Sequence, residues 1–482
     1  MTLNTARRPA MDGVAEWLRW IFGCVLLALL LGLGSHSHAQ TGAGERNAAL
    51  IRERQALHIG TTAYLYGYSI VDMRKQMFNE THRVTDKQAA YAPVNHFYAY
   101  EYLVTPQTAG NLRGPNNDTL YFGGWFDLTK EPLIVHAPDT AGRYYTLAVT
   151  DFYAESHHVG RRTTGTNEKF FALVGPDWKG ELPPYLHVVR VPTPQVWILG
   201  RMLVDGEPDF PKALGLIRQF WAAPLSQFKP EGPPPARPAE LKAKAVDPLG
   251  KLDFFVELNQ WLRNHPGEKK EAALMELFDQ IGIGPNRQLD LSQLDEATRK
   301  GLKQAVTEGE ALVQAATQRT MSDVRNGWIF PTALGRYGTD YLARAAVVKG
   351  GYANAAEEST YAAKMFDEDK QFLTGGSRYK LHLTPQQIPP AGAFWSVVAY
   401  DLKTAGLIEN PIRRYSLGDR TPGLQKNADG SLDLWIQKEP PASGNSNWLP
   451  VGEGAFFLIM RIYEPKPAVF DGSYKPGPVV KQ

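Results

Sequence analysis

Cysteine is almost absent from this sequence, which has a single such residue, Cys24, among 482. One thiol cannot form a disulfide within the chain or supply the several cysteines of a structural zinc site. Cys24 also lies in an N-terminal apolar run that we expect to be removed. The mature chain would then have no thiol, which excludes cysteine catalysis. Its stability would depend on packed cores alone.

An excess of charge of either sign is also lacking. The chain has 52 Lys and Arg residues against 50 Asp and Glu residues, which gives a net charge of +2, and no basic cluster stands out. Nucleic-acid-binding proteins normally show a basic excess or a basic stripe. We therefore expect no nucleic-acid partner. Gly and Pro, in contrast, are plentiful at 44 and 35 residues, which favours many turns and much β-structure.

Short catalytic and cofactor motifs are missing as well. The sequence has no G-x-S-x-G nucleophile elbow, no H-E-x-x-H zinc motif and no phosphate-binding G-x-x-x-x-G-K. No glycine fingerprint for a dinucleotide follows a predicted strand, so we expect no cofactor. His157 and His158 are adjacent, and neighbours on a strand point to opposite faces. We therefore predict no metal site there, while a metal held by oxygen ligands stays open.

The first 39 residues have the layout of a secretory signal. A basic region with three arginines precedes an apolar run at 21–34, and Ser37 and Ala39 supply the small residues of a cleavage site before Gln40. The alternative is a membrane anchor, but a run of about 14 apolar residues is shorter than the roughly 20 that a span needs. We expect cleavage near Ala39, a periplasmic or secreted protein, and no membrane span afterwards.

Three regions follow this signal. Residues 40–205 begin with an amphipathic helix and continue with short strands separated by turns, which favours a β-sandwich. Residues 206–330 carry three apolar stripes at helical spacing and predict a helical domain. Residues 331–482 return to strands, and a second, jelly-roll-like sandwich fits them. The predicted fold is therefore mainly β with a helical middle region.

These predictions depend on particular segments. The first helix repeats apolar residues at steps of three and four, at Ile59, Ala63, Tyr66, Ile70, Met73 and Met77. The predicted strands lie at 133–137, 143–153, 169–175, 185–191, 195–204, 394–402, 431–437 and 455–463. The last of these is an almost wholly apolar run, which is typical of a strand buried on both faces.

One stretch, at 114–128, joins a polar turn to a strand. It reads GPNNDTLYFGGWFDL, and in its second half Leu120 and Phe122 fall on one face while Tyr121 and Trp125 fall on the other. This period of two predicts a strand with one buried face. The first half packs four hydrogen-bonding side chains into a turn, and a turn alone does not require all four. We therefore predict a site where the turn meets the strand.

Candidate site residues come from four polar clusters with aromatic neighbours. Asp118 and Asp151 are a candidate pair of carboxylates for acid–base chemistry. The candidate substrate-binding residues are Asn116, Asn117, Thr119, Tyr121, Tyr153, Arg161, Arg414, Asn447 and Trp448. Aromatic faces beside polar groups suit sugar rings and other polyols. The structural alternative is open for every cluster, because Asn and Asp before strands often form Asx-turns and strand aromatics mostly fill cores.

Longer motifs resemble two bacterial families. PNNDTLY at 115–121, GRYYTLAVTDFY at 142–153 and GRRTTGT at 160–166 resemble the domain-of-unknown-function family 1254. NPIRRYSLGDRT at 410–421 and NWLPVGEGAFFLIMRIYEP at 447–465 resemble its usual C-terminal partner, family 1214. The resemblance covers nearly all of the mature chain. It implies an Ig-like sandwich, a helical middle domain and a jelly-roll-like C-terminal domain, but no catalytic residues.

Three classes of function fit these observations. The first is an exported, cofactor-independent hydrolase or lyase acting on a polar substrate such as a carbohydrate. The second is a non-catalytic periplasmic protein that binds a small molecule or glycan through the same aromatic and polar surface. The third is a structural homo-oligomer of the cell envelope that aids stress tolerance. Convergence of Asp118, Asp151 and Arg161 in one pocket would favour the enzyme.

Overall fold

The computed structural model describes residues 12–82, 90–108, 114–236, 250–265, 269–319, 323–331 and 333–482, with side chains from Gly44 onward except at 318 and 319. The predicted secretory signal lies outside the residues whose side chains are described. Within the described ranges, no helix combines the length and the apolar character that a membrane crossing needs.

Seven α-helices lie in the described residues. They are α1 (Asp12–Thr81), α2 (Arg161–Thr164), α3 (Phe210–Ile217), α4 (Asp253–Asn264), α5 (Ala272–Asp279), α6 (Glu296–Arg319) and α7 (Tyr341–Gly350). The apolar stripe predicted for the first helix is confirmed in α1, where five of its six residues are buried. The three stripes of the middle region correspond to α4, α5 and α6, so the predicted helical middle is confirmed as well.

The N-terminal sandwich consists of two sheets. The first has the order β1 (Tyr98–Ala99), β2 (Thr119–Asp127), β8 (Gln195–Leu203), β4 (Tyr145–Asp151) and β5 (Ser156–Gly160), all antiparallel. The second has the order β7 (His187–Arg190), β6 (Lys169–Val174), β3 (Leu133–Ala137) and β9 (Trp221–Pro224). Their inner faces bury a core that includes Phe122, Leu147 and Phe171. Since β9 pairs with β3, the sandwich continues past residue 205 to Pro224.

The C-terminal sandwich is also built from two sheets. One has the order β10 (Asp323–Arg325), β11 (Trp328–Phe330), β12 (Ser359–Lys364), β18 (Phe456–Tyr463), β14 (Trp395–Asp401) and β15 (Ser416–Gly418). The other has the order β17 (Trp448–Pro450), β16 (Leu432–Gln437), β13 (Tyr379–Leu383) and β19 (Val479–Lys481). Leu458, Met460 and Ile462 of β18 point into the core between them. Together with the first sandwich, this arrangement confirms the predicted β-rich fold.

The structure differs from the sequence prediction at β2. One buried face was expected, but both faces of β2 are buried. Leu120 and Phe122 face the sandwich core, while Tyr121 and Trp125 pack in a second core with the helices. The prediction was wrong because the alternating residues on the outer face are aromatic rather than charged, and such residues can be covered by another layer.

The helices form a layer that touches both sandwiches. α1 packs against α6, α7 and α4, and one continuous core joins these helices to the outer faces of the first sheet and of the sheet containing β18. Val398 and Tyr400 of β14 belong to this core together with Trp197 and Leu199 of β8. The outer faces of two sheets from distant parts of the chain therefore meet beneath the helices, and the candidate site lies there.

Candidate functional site

A cavity of about 380 Å³ lies between the two sheets and α7. β8 and β18 each turn three alternate residues into it, as the two-residue period of a strand requires. These residues are Trp197, Leu199 and Arg201 of β8 and Phe457, Ile459 and Arg461 of β18. Ala346, Val347 and Gly350 of α7 close another side. The volume falls at the lower end of the roughly 300–1,000 Å³ typical of ligand pockets.

Each sheet contributes one arginine with a tyrosine beside it. Arg201 lies opposite Tyr121 of β2, and its guanidinium carbon is 5.4 Å from the centroid of that ring. Arg461 lies opposite Tyr361 of β12 at 5.7 Å, and it is 5.4 Å from the centroid of Tyr400. Only 6% of Arg201 and 4% of Arg461 is exposed. Cation–π contacts of this kind stabilise a charge by about 0.5–2 kcal/mol, which does not offset its full desolvation.

Neither guanidinium group forms an ion pair with a carboxylate of the described residues. Arg201 Nη1 donates to Asn354 Oδ1 at 2.5 Å, and Arg461 Nη2 donates to the carbonyl oxygen of Gly114 at 2.8 Å. Arg461 Nη1 is buried and has no hydrogen-bond partner among the described residues. Buried charged groups are normally paired and hydrogen-bonded. The wall of the cavity thus contains a charged donor that lacks an acceptor.

Both arginines keep their charge. Burial acts to lower the pKa of Arg201 and of Arg461, but the surrounding tyrosines outweigh it and the pKa of each is raised. The two guanidinium groups lie in one cluster, since both arginines line the same cavity together with Tyr121 and Tyr361. Burial raises the pKa of Tyr463, although Arg461 opposes that rise, so its phenol is neutral. The cluster is cationic.

The turn at 114–119 borders this cavity. Asn116 Oδ1 accepts hydrogen bonds from the backbone N–H groups of Asp118 and Thr119, both at 2.9 Å, which is an Asx-turn. Asn116 Nδ2 donates to Tyr121 Oη at 2.8 Å and to Tyr463 Oη at 3.1 Å. Asn116 and Tyr121 line the cavity, whereas Thr119 is held in the turn by a bond from its hydroxyl to Asn116 Oδ1.

Asp118 and Asn117 point away from this cavity into a second one of about 310 Å³, which Arg414 also lines. The Asp118 carboxylate accepts hydrogen bonds from Ser396 Oγ at 2.6 Å and from Ser416 Oγ at 2.7 Å. Two of the predicted polar clusters therefore converge. These side chains are nevertheless bonded within the protein. Asn117 Nδ2 donates to one backbone carbonyl oxygen, and Arg414 Nη1 donates to three backbone carbonyl oxygens.

Asp151 lies far from Asp118. Its fully buried Oδ1 accepts from the backbone N–H of Tyr153 at 2.8 Å, and its Oδ2 lies 3.4 Å from His157 Nε2. Burial raises the pKa of this carboxyl. Asp151 pairs with Val196 of β8, whereas Asp118 bonds to Val204, eight residues further on and roughly 25 Å away along an extended strand. The structure does not bring the two candidate acids together.

The other candidate residues lie outside both cavities. Arg161 forms an ion pair of 2.6 Å with Glu464, and Tyr153 packs on the guanidinium of Arg344 at 5.5 Å. Asn447 bonds to backbone groups of neighbouring loops, and Trp448 Nε1 donates to a backbone carbonyl at 2.8 Å. Each of these side chains stabilises the fold locally.

Sequence reasoning missed the main site residues, Arg201 and Arg461. Their signal was an arginine placed inside an otherwise apolar run, at 195–204 and at 455–463. A charge in a strand that is buried on both faces calls for a charged partner, and none of the described residues supplies a carboxylate to either arginine. No group of three or more His, Cys, Asp or Glu side chains suited to a metal occurs in the described part of the chain.

Comparisons with known proteins agree with the two-sandwich division. Residues 94–224 match the family described as Protein of unknown function (DUF1254), and residues 358–467 match Protein of unknown function (DUF1214). The resemblance inferred from the motifs is thereby confirmed. A search of curated proteins gives no match.

Two solved structures are similar to this chain. The crystal structure of the VPA0106 protein from Vibrio parahaemolyticus is 24% identical with a TM-score of 0.66, over 89% of this chain and 100% of that one, and shares the fold. An uncharacterized protein from Burkholderia cenocepacia is 12% identical with a TM-score of 0.43, over 92% of this chain and 96% of its own.

Proposed function

The chain belongs to the DUF1254 and DUF1214 families, and we propose that it binds a small organic anion in the cavity between its two sandwiches. The observation that carries this proposal is Arg461 Nη1, a buried charged donor in the cavity wall that has no hydrogen-bond partner in the described part of the chain. Arg201 adds a second positive charge from the opposite sheet. An anion placed between them would accept charge-assisted hydrogen bonds, each of about 1.5–3 kcal/mol.

Other arginines of this chain show what a structural role looks like. Arg143 bonds to both oxygens of Asp209, and Arg325 pairs with Asp323 at 2.6 Å. An unpaired buried charge destabilises the fold, and such groups persist mainly where they act on a ligand. Arg344 is also buried without a carboxylate partner among the described residues, but it lies outside the cavity. The support for a binding role of Arg201 and Arg461 is therefore their position in the cavity wall together with their lack of an ionic partner.

A hydrolase or lyase acting on a carbohydrate-like substrate has less support. Asp118 and Asp151 are too far apart to share a substrate, and most of the cavity wall is apolar or aromatic. The groups beside a bound anion would be arginines and neutral tyrosines, which hold an anion rather than activate a nucleophile. Binding is therefore the form of the function that the geometry supports best.

We place this binding in the periplasm or outside the cell. The support is the signal-like layout of the first 39 residues, with Ser37 and Ala39 before Gln40. Mass spectrometry of the purified protein should find Gln40 at the N-terminus. An intact N-terminus on protein held in the inner membrane would contradict export with cleavage.

Thermal unfolding in the presence of anions tests the binding proposal. A panel of carboxylates, sulfonates and phosphate monoesters is added to the wild type and to Arg461→Met. A matched control is Arg344→Met, because Arg344 is equally buried among tyrosines but lies outside the cavity. At a hundredfold excess over the dissociation constant, a ligand stabilises the fold by about 2.7 kcal/mol.

We expect at least one anion to raise the melting temperature of the wild type and of Arg344→Met by several degrees, but not that of Arg461→Met. The proposal fails if no anion in the panel distinguishes the wild type from Arg461→Met.

A further inference from the structure

The two strands that supply the arginines carry the same order of side chains. On β8 the cavity-facing residues run from Arg201 through Leu199 to Trp197. On β18 they run from Arg461 through Ile459 to Phe457. Each strand therefore presents a charge, then an aliphatic side chain, then an aromatic ring. The arginine and the aromatic residue of each strand are four residues apart, and four residues of extended chain span roughly 13 Å.

The two series of cavity-facing side chains also run in the same direction in space. Leu203 and Tyr463, the next residues on the same faces beyond the arginines, pack together in one cluster with Tyr144 and Phe394. The charged ends of β8 and β18 are thus adjacent in space. The cavity has a cationic end beside Arg201 and Arg461 and an apolar end beside Trp197.

α7 ends near the apolar end of the cavity, since the ring of Tyr352, two residues beyond this helix, lies 5.1 Å from the ring of Trp197. Its last residues and the glycine that follows them, Gly350 and Gly351, line the cavity, and Val347 adds an apolar contact. The C-terminus of a helix carries a partial negative charge, which disfavours an anion beside it. An anionic group therefore belongs at the arginine end, and an uncharged body belongs against α7.

The donors at the cationic end are few. Arg461 offers Nη1, since its Nη2 is bound to Gly114. Tyr400 Oη donates to the carbonyl oxygen of Pro115, and Tyr361 Oη is bonded to Ser359 Oγ. A phosphate has three strong acceptor oxygens to satisfy, whereas a carboxylate has two oxygens, one for each arginine.

We propose that the occupant of this cavity is a monocarboxylate with an unbranched apolar tail. Its carboxylate lies between Arg201 and Arg461, and its tail lies between Leu199 and Ile459 and ends against Trp197 and Phe457. This inference rests on the proposed anion-binding function and adds the class of ligand.

Isothermal titration of the purified protein with a set of defined probes tests the ligand class. The tail is varied with butyrate, hexanoate and octanoate. The head group is varied with octyl phosphate and octanol, and a second charge is added with octanedioate. We expect affinity to rise about threefold to fourfold for each added CH₂, since burial of one CH₂ is worth about 0.8 kcal/mol. Octanoate should bind at least tenfold more tightly than octyl phosphate, octanol or octanedioate.

A variant checks that the tail lies where we propose. Ile459→Thr keeps the β-branched shape but places a hydroxyl beside the tail. It should weaken octanoate about tenfold and leave butyrate, whose short tail ends before Ile459, within about threefold. Equal loss for both probes would contradict the proposed placement.

The outcomes separate this inference from the function on which it rests. If octyl phosphate or octanedioate binds as tightly as octanoate, the ligand class is wrong while anion binding stands. The same conclusion follows if octanoate does not bind but another anion stabilises the wild type and not Arg461→Met. If no anion binds at all, both proposals fail.

Discussion

Arg201 lies directly opposite Tyr121 on the neighbouring antiparallel strand, with its guanidinium carbon 5.4 Å from the centroid of the tyrosine ring. Arg461 stands in the same relation to Tyr361, in a sheet formed by a distant part of the chain. The same arrangement thus occurs once in each sandwich, and the two copies meet in one cavity. Neither sandwich alone would enclose a ligand there.

Asp118 should act as a structural anchor between the sandwiches rather than as an acid or base. It accepts hydrogen bonds from Ser396 and Ser416, which lie on strands of the C-terminal sheet. Hydrogen bonds to a charged group are worth about 1.5–3 kcal/mol and neutral ones about 0.5–1.5 kcal/mol. We therefore expect Asp118→Asn to lower the free energy of unfolding by about 1–2 kcal/mol and to change anion affinity less than threefold.

A double-mutant cycle in urea checks this expectation. Asp118→Asn should destabilise the Ser416→Ala protein less than the wild type, because one of its bonds is already lost. Asp205→Asn is the control, since the Asp205 pair with Arg420 is exposed and worth about 0–1 kcal/mol. Additive effects of Asp118→Asn and Ser416→Ala would contradict the anchor.

Two neighbouring alanines of α7 should respond differently to enlargement. Ala346 lines the cavity, whereas Ala345 is buried in the core that α7 shares with the other helices. Ala346→Leu should fill part of the cavity, weaken anion binding at least tenfold and change the unfolding free energy by less than about 1 kcal/mol. Ala345→Leu should overpack the core at a cost of about 1–3 kcal/mol.

Titration and urea unfolding of both variants distinguish the two sites. The result that would contradict the assigned cavity is normal binding by Ala346→Leu together with a loss of stability like that of Ala345→Leu.

His158 should make stability depend on pH. Its Nε2 accepts a hydrogen bond from the backbone N–H of Ala355 at 3.0 Å, so the ring is neutral and its proton lies on Nδ1, beside Thr146. Burial, followed by the nearby Arg162 and Arg201, lowers the pKa of His158 well below its usual value. The unfolded chain takes up a proton at this ring below about pH 6.5, and the folded chain does not. The stabilisation is therefore present above that pH and is lost as the pH falls.

The comparison of wild type with His158→Gln isolates this effect. The difference in unfolding free energy between the two proteins should shrink by about 1–2 kcal/mol between pH 7 and pH 5. Subtracting the two free energies of unfolding cancels the contribution of groups that titrate in both proteins, such as Asp151, whose pKa is raised by burial. A difference that is constant over this range would show that His158 takes up its proton as readily in the folded protein as in the unfolded chain, which would contradict this account.

Much of the fold could be predicted because its signals are local. The strand predicted at 195–204 and the apolar stripe in α1 follow from local sequence, and the structure confirms both. α7 escaped prediction because Tyr341–Gly350 is short and rich in alanine, so it shows no stripe of large apolar residues. β10 and β11 have three residues each, too few for a period to appear.

The site was harder to predict than the fold because it is assembled by tertiary packing. Arg201 and Arg461 are far apart in the chain, and each looks like an isolated exception in an apolar run. The polar turn at 114–119 was noticed, and it does border the cavity through Asn116. Its other polar residues, however, join the two sandwiches, and local sequence cannot tell such a bond from a contact with a ligand.

The central claim is that the guanidinium of Arg461 binds an anionic group in the cavity, and a thermodynamic cycle tests it most directly. Titration calorimetry measures octanoate and octanol against the wild type and Arg461→Met. For each protein, the binding free energy of octanol is subtracted from that of octanoate. We predict that this advantage of the carboxylate is about 1.5–3 kcal/mol larger in the wild type than in Arg461→Met, which is a factor of about 10–150 in affinity. A coupling of zero, with octanoate and octanol equally affected by the substitution, would contradict the account.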